Sequence, residues 1–153
     1  MSEYKLTTEI LARSEASTWD SAKAEWALRD VYESDLPQTC LCGHFPIIEI
    51  CSIGNRLNGK AVEVGNCCVK KFIGLPSDKI FQAVKRIRKD SAKSLNAEAI
   101  GHAHDKGWIN TWERDFYLNN MRKRNLSEKQ AQKKTQINEK VIHHMQRRPP
   151  PKA

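Results

Sequence analysis

Five cysteines and one neighbouring histidine give this 153-residue chain the residue types that bind a metal ion. Cys40, Cys42 and His44 lie within five residues, and Cys67 and Cys68 follow more than twenty positions later. Structural zinc is held by four such side chains in a tetrahedron. The spacing is less specific than a double C-x₂-C pattern, but it predicts one structural Zn²⁺ site. A cluster of free thiols without metal stays open as the alternative.

The sequence between the two groups predicts a β-hairpin. Segment 45–53 is short and rich in isoleucine, and segment 60–64 alternates polar and apolar residues, as strands do. The turn between them, 54–59, contains two glycines and two asparagines, which tolerate positive φ. If Ile53 lies opposite Lys60, the chain after the second strand returns beside the chain before the first. The hairpin itself is then expected to bring the two groups of ligands together.

The cysteines are not equivalent in this arrangement. Cys51 is expected opposite Val62, nine residues of strand from Cys42 at about 3.3 Å each, and we interpret it as a buried core cysteine. Cys67 and Cys68 point about 100° apart if both are helical, so one of them is the ligand. The predicted metal ligands are Cys40, Cys42, His44 and Cys68. The fourth ligand stays open among His44, Cys67 and Cys51.

The chain divides by pattern into four segments. Residues 1–39 form a predicted N-terminal helical segment, in which Ser17 to Asp20 reads as a capping box for a helix to about Tyr32, with Trp19 and Trp26 in the core. The remaining segments are a zinc-binding β-hairpin and helix (40–75), a basic helical bundle (76–146) and a disordered, basic, Pro-rich tail (147–153). The predicted fold class is α+β: a small zinc β-hairpin flanked by an N-terminal helix and a C-terminal helical bundle.

Four helices are predicted in the bundle from their capping residues. They begin at Ser77, Asn96, Asn110 and Ser127, and short connections between them favour antiparallel packing. The third helix is expected to bury Trp112, Phe116 and Met121.

The net charge of +8 is unevenly distributed. Residues 1–68 contain six Lys and Arg against ten Asp and Glu, whereas residues 69–153 contain twenty against eight. A strongly basic half predicts contact with an anion, most often nucleic acid or an acidic protein, and we expect nucleic acid. The predicted phosphate contacts are Lys70, Lys71, Lys85, Arg86, Arg88 and Lys89, with Arg122, Lys123 and Arg124 as further candidates. Phe72, Phe81, Trp112 and Phe116 all lie on apolar stripes, which argues against base stacking and so against a single-stranded ligand.

Composition and the absence of certain motifs argue against several other classes of protein. Apolar residues make up 39% and charged residues 29%, and no run of apolar residues is long enough to span a bilayer, so no membrane partner is expected. The N-terminus shows no signal peptide, which predicts a cytoplasmic protein whose cysteines stay reduced. No small-molecule substrate is evident. No constellation of base, nucleophile and hard metal can be assembled, so an enzyme is not expected.

Several motifs together resemble a family of small, mostly uncharacterised bacterial and phage-associated proteins. They are C-x-C-G-H at 40–44, V-G-N-x-C-V-x-K-F at 64–72, W-E-x-x-F-Y at 112–117 and L-S-x-K-Q at 126–130. The resemblance covers about residues 17–142. It implies a treble-clef-like zinc hairpin and a phage or prophage context linked to DNA transactions, so DNA is expected rather than RNA.

The leading hypothesis from the sequence is therefore a structural-zinc protein that binds nucleic acid through a basic helical surface. Its alternative is a protein–protein adaptor, for instance one that captures a host protein, which the broad apolar surface of the segment from Trp19 to Val31 and the Pro-rich tail would support. A nuclease on a ββα-metal-like scaffold is the less favoured alternative. It would need a histidine base beside a second metal, and neither His102 nor His104 has a carboxylate cluster around it.

Overall fold

The fold is α+β, as predicted, and the computed structural model describes residues 3–150. The chain divides into two compact units. Unit 1 comprises the chain up to Asp78 together with the segment from Arg147 onward, and unit 2 comprises Lys79–Gln146. Among residues 3–150, no helix combines the length and apolarity needed to cross a membrane.

Unit 1 is built on a three-stranded antiparallel sheet in the order β1-β2-β3. Its elements are α1 (Glu3–Ala12), α2 (Trp19–Lys23), β1 (Trp26–Gln38), β2 (Ile47–Asn55), β3 (Ala61–Gly65) and α3 (Asn66–Cys68), which continues into a π-helical turn, Val69–Ile73. Buried apolar side chains from α1 and all three strands form its core, among them Leu6, Ile10, Val31, Ile53 and Val64.

The predicted helix from Ser17 to Tyr32 is wrong. The helical part ends at Lys23, Thr18 is the N-cap without a side-chain capping bond, and the chain from Trp26 onward is the strand β1. Trp26 is buried as expected, whereas Trp19 is half-buried. The three- and four-residue spacing of apolar residues fits a helix, but nine residues of β2 offer a long-range ladder that this segment pairs with instead. β1 also continues through Pro37.

Glu25 organises the turn that precedes β1. Its buried carboxylate accepts hydrogen bonds from the backbone N–H groups of Glu15 and Ala16 and from the Asn55 side chain, each at 2.8 Å. These donors, with the Asn55 amide foremost, lower the pKa of Glu25 below its ordinary value. The loop before α2 is thereby tied to the end of β2.

The hairpin β2–β3 forms as predicted, but its register is shifted by two residues. Ile53 lies opposite Val62, and Cys51 lies opposite Val64, where Lys60 and Val62 were expected. The shift arises because Gly54 stays in the strand and the turn begins at Asn55, whose Oδ1 accepts the Leu57 N–H at 2.8 Å. A shift of two keeps every side chain on its predicted face.

The C-terminal segment was predicted to be disordered, but its described part, residues 147–150, is ordered. Arg148 forms a parallel bridge with Ser34 of β1, its guanidinium lies over the Tyr32 ring, and it pairs with Asp30. Arg147 pairs with Glu33 at 3.5 Å. Residues 147–150 therefore add to the edge of β1 in unit 1, and residues 151–153 lie outside the described part.

Unit 2 contains four helices whose starts match the predicted capping residues. They are α4 (Ser77–Lys89), which begins in unit 1, α5 (Ala97–Asp105), α6 (Thr111–Asn120) and α7 (Glu128–His144). Asn96, Asn110 and Ser127 cap the last three with side-chain hydrogen bonds, and Asn110 and Ser127 form complete capping boxes.

A buried polar network fastens α6 and α7 within unit 2. The Tyr117 hydroxyl donates to Asn138 Oδ1 at 2.7 Å and accepts the Leu95 N–H at 2.8 Å. The Asn138 amide donates to the carbonyls of Ser91 and Lys93, both at 2.8 Å. Every polar atom of this buried pair thus has a partner, which fixes one packing of the two helices.

Candidate metal centre

Three cysteine sulfurs meet in unit 1. The Sγ atoms of Cys40, Cys42 and Cys68 all lie within 4.8 Å of one another. All three side chains are buried, with at most 4% exposed. The chain separates Cys42 from Cys68 by the whole β2–β3 hairpin, so the fold-back of this hairpin assembles the cluster, as expected from the sequence.

The first two cysteines lie on a tight knuckle. The Gly43 N–H donates to the Cys40 carbonyl at 2.8 Å, and the Cys40 N–H donates to the His44 carbonyl at 2.9 Å. Gly43 has φ +92°, a region that glycine adopts without steric cost. The turn directs both cysteine side chains of the knuckle to the same point.

Backbone N–H groups also point at the sulfurs. The His44 N–H donates to Cys42 Sγ at 3.4 Å, and the Gly65 N–H donates to Cys40 Sγ at 3.3 Å. Such donors stabilise a thiolate and orient it, as groups behind metal ligands commonly do. The backbone is therefore arranged for negatively charged sulfur at two of the three positions.

Hydrogen bonds within the cluster change the pKa values of Cys40 and Cys68 in opposite directions. Hydrogen bonds from Cys68 and from backbone N–H groups lower the pKa of Cys40 to about 5, against the effect of burial. The pKa of Cys68 is raised, because its thiol donates to Cys40 and because it is buried. Since a thiolate is the form that binds a metal, the lowered pKa of Cys40 favours metal binding.

Cys68 is positioned by the end of β3 and by Asn66. A Cβ on Gly65 would lie 3.3 Å from Ile47 Cγ2 and 3.6 Å from Cys40 Sγ, so the backbone here packs directly against the cluster. The buried Asn66 accepts a hydrogen bond from Ser77 Oγ at 2.7 Å and donates to Asp78 at 3.1 Å. These bonds hold the helical turn that carries Cys68 against the start of α4.

The three candidates for a fourth ligand lie outside the sulfur cluster. His44 is exposed, and so is Cys67, and both line one shallow depression beside the knuckle. Cys51 is fully buried in β2, where it pairs with Val31 and Val64, and burial raises its pKa to about 12. The structure thus brings together three of the four predicted ligands and leaves the His44 ring at the surface.

The residues predicted to contact phosphates are all exposed, and they are distributed over both units. In unit 1, Lys70 and Lys71 lie on the π-helical turn, and Lys70 pairs with Asp78 at 3.2 Å. In unit 2, Lys85, Arg86, Arg88 and Lys89 lie on α4, and Arg122, Lys123 and Arg124 lie between α6 and α7. Some of these residues also have structural contacts: Arg86 donates to the Ser94 carbonyl at 3.0 Å and Arg88 to the Met145 carbonyl.

The charge is divided sharply between the units. Unit 1 contains eleven Lys and Arg and eleven Asp and Glu, so it is neutral. Unit 2 contains fifteen against seven, which accounts for the entire net charge of +8.

One feature of unit 2 contradicts the sequence prediction. Trp112 was expected to be buried with Phe116 and Met121, but its side chain is 60% exposed, and Phe116 and Met121 are half-buried. The buried face of α6 is formed instead by Glu113, Tyr117 and Asn120. These three residues also recur at four- and three-residue spacing, so two faces of α6 have the spacing of a buried helix face. The prediction chose the more apolar face, which is the more exposed one.

Comparison of this chain with protein-family models, with curated proteins and with solved structures gave no match.

Proposed function

We propose that this chain is a structural-zinc protein of phage or mobile-element type that binds DNA through the basic surface of unit 2. Zn²⁺ is held by Cys40, Cys42, Cys68 and His44. The single observation that carries the DNA-binding part is the charge division: a neutral unit holds the metal site, and the other unit holds the entire net positive charge.

The donor set favours zinc. Clustered cysteine sulfurs are soft ligands, which select zinc and related metals over magnesium or calcium. The order of knuckle, hairpin and helix, with one ligand group at each end of the hairpin, is typical of treble-clef-like zinc sites, and a Cys₃His set is common among structural ones. A reducing compartment such as the cytoplasm would keep these thiolates available for the metal.

His44 is the proposed fourth ligand because of where its backbone lies. Its N–H is bonded to Cys42 Sγ, so its Cα is already beside the cluster, and its exposed ring can rotate without breaking a core contact. Cys51 would have to leave the sheet that it pairs in on both sides. Cys67 is exposed on the same helical turn as Cys68, and its sulfur does not belong to the cluster that Cys68 enters.

The proposed role of unit 2 rests on long-range electrostatics. Lys and Arg that neutralise phosphates release condensed counterions, so affinity falls with salt in proportion to the number of contacts. α4 supplies five exposed cations, Lys79, Lys85, Arg86, Arg88 and Lys89, and three more lie between α6 and α7. The proposal needs no sequence-specific contact, because phosphate contacts give affinity rather than sequence selection.

A salt titration tests the proposal. Fluorescence anisotropy with a labelled 20-base-pair duplex and the matching single strand is measured at several salt concentrations for wild type, for Lys85→Gln/Lys89→Gln and for the control Lys23→Gln/Lys60→Gln. Both variants remove two positive charges, but the control removes them from unit 1. Loss of two phosphate contacts should reduce the slope of log K against log salt by about 1.8 on duplex.

The outcomes separate clearly. The proposal expects the unit 2 variant to lose slope and affinity while the control keeps both. Absence of binding by wild type at low salt, or equal losses in the two variants, would contradict it.

The adaptor alternative has lost its main support. It drew on a broad apolar helix from Trp19 to Val31, but that segment is mostly the strand β1, and Trp26 and Val31 are buried in the core. Its second support was the Pro-rich tail, whose described part, residues 147–150, is held on β1 through Arg148. An enzymatic activity is not part of the proposal. His102 is buried against Trp108, His104 bonds Thr111, and the metal-type cluster found among residues 3–150 consists of cysteines.

A further inference from the structure

The structure points to single-stranded DNA as the ligand of unit 2, with Trp112 as the residue on which a base stacks. This inference rests on the proposed function and names its substrate class. It opposes the expectation from the sequence, which placed the aromatic residues of unit 2 in the core.

Trp112 and Phe116 form an aromatic pair on the side of α6 that exposes Trp112 to solvent. The rings of Trp112 and Phe116 are stacked, with centroids 5.4 Å apart and planes 12° from parallel. Trp112 is nevertheless 60% exposed, so the pair leaves much of the indole in contact with solvent. Since the two residues are one helical turn apart and Asn119 follows three positions later, all three share one face of α6. That face offers an aromatic surface beside an amide, the pair of groups that receives an unpaired base.

The buried Glu113 places cations beside this surface. Its Oε2 atom accepts from Lys140 Nζ at 2.6 Å and lies 3.7 Å from Lys133 Nζ. Lys133 Nζ also lies over the Trp112 ring, 5.3 Å from its centroid. Glu113 is only 2% exposed and is fixed by the Asn110 capping box, so both ammonium groups are anchored from inside the unit.

Lys133 belongs to a row of lysines along α7. Lys129, Lys133 and Lys140 fall on one face of the helix, because they are separated by four and seven residues. This row of ammonium groups includes Lys133, which lies over the Trp112 ring of α6. A basic track with an exposed aromatic beside it is the arrangement that binds a single strand, whose bases can leave their own stack and whose phosphates follow the cations.

A duplex does not use such a surface in the same way. Its bases are stacked inside the helix, so Trp112 would contact no base and only the cations would contribute. The inference therefore predicts that the aromatic contribution is confined to single strands, whereas the electrostatic contribution is shared.

The experiment compares a dT₁₅ strand with a 15-base-pair duplex by fluorescence anisotropy at constant salt. The variants are Trp112→Ala, Trp112→Phe and the control Tyr4→Ala, which removes an aromatic residue that is 83% exposed in unit 1. Trp112→Ala should weaken single-strand binding by about tenfold or more, the loss typical for an aromatic that stacks on a base. Trp112→Phe should recover most of the affinity, and Tyr4→Ala should equal wild type, with duplex binding unchanged in all three.

A second variant removes a positive charge beside Trp112 and leaves the aromatic ring in place. Lys133→Gln should reduce the slope of log K against log salt on the single strand by about 0.7, while Lys140 still neutralises Glu113. The inference is overturned if Trp112→Ala binds dT₁₅ as wild type does, or if it loses single-strand and duplex binding equally. Salt-dependent duplex binding by wild type would then leave the proposed function standing, whereas no binding of either ligand would end both.

Discussion

Replacing Gly43 with alanine tests whether the knuckle is shaped for a metal. Gly43 has φ +92°, and a residue with a Cβ in the left-handed region costs about 1–2 kcal/mol. The added Cβ would lie 3.3 Å from Lys5 Nζ, the mobile end of a long side chain, so the contact itself should cost little. If the knuckle relaxes without metal and tightens on binding, this strain falls on the metal-bound state. The affinity for Zn²⁺ should then drop by about 5- to 30-fold.

Gly59 provides a matched control. It has φ +75° in the β2–β3 turn, and a Cβ there would meet nothing within 4 Å. Gly59→Ala should carry a similar backbone cost, but in the metal-free and metal-bound states alike, so it should lower stability without changing the affinity. Zinc affinity is measured by competition with a chromophoric chelator, and stability by denaturant unfolding. Equal affinities of Gly43→Ala and wild type, or equal losses in both glycine variants, would refute the reasoning.

Three further predictions concern the surrounding structure. Gly65→Ala should weaken metal binding and lower the melting temperature, because its Cβ would lie 3.3 Å from Ile47 and overpacking costs about 1–3 kcal/mol; unchanged zinc titration and melting curves would contradict this. Asn138→Ala should lower the free energy of unfolding in urea by about 3 kcal/mol, because two carbonyls and a buried hydroxyl lose their partner; a change below 1 kcal/mol would show that water replaces it. Because its neighbours, led by Asn55, lower the pKa of Glu25, its contribution to stability should be complete above about pH 4.5 and lost as the pH falls through the folded-state value. Glu25→Gln should flatten this part of a stability–pH curve, and curves that stay parallel would argue against it.

Local signals predicted unit 2 well. Asn96, Asn110 and Ser127 cap helices with their own side chains, and a capping bond involves residues only three positions apart. The same locality explains the error in α6. Two faces of this helix have helical spacing, and the choice of Glu113 for the buried one depends on Lys133 and Lys140, which come from another helix.

Long-range pairing explains the errors in unit 1. The segment from Trp26 has helical spacing, but it pairs with β2 over most of its length, and no local pattern encodes this partner. The C-terminal segment was misjudged for the same reason, since Arg148 is ordered by contacts with Asp30 and Tyr32 more than a hundred residues away. The composition of such a segment does not show whether it pairs with the edge strand of a sheet in the folded protein.

The sulfur cluster could be predicted because two local features define it. The short C-x-C-G-H knuckle and a hairpin of the right length suffice to bring Cys40 and Cys42 to Cys68, and a register error of two residues did not change that. The fourth ligand could not be predicted in the same way. His44 lies at the surface, so the position of its ring depends on the bound metal rather than on packing.

Metal content is the measurement that tests the central claim most directly. Native mass spectrometry of the protein purified without added metal should show one Zn²⁺ per chain, and the same mass shift should persist in Cys51→Ala and Cys67→Ala. Cys40→Ala, Cys42→Ala and Cys68→Ala should each lose it, and a chelator should lower the melting temperature of wild type. A wild-type chain that carries no metal and melts identically with and without chelator would contradict the account.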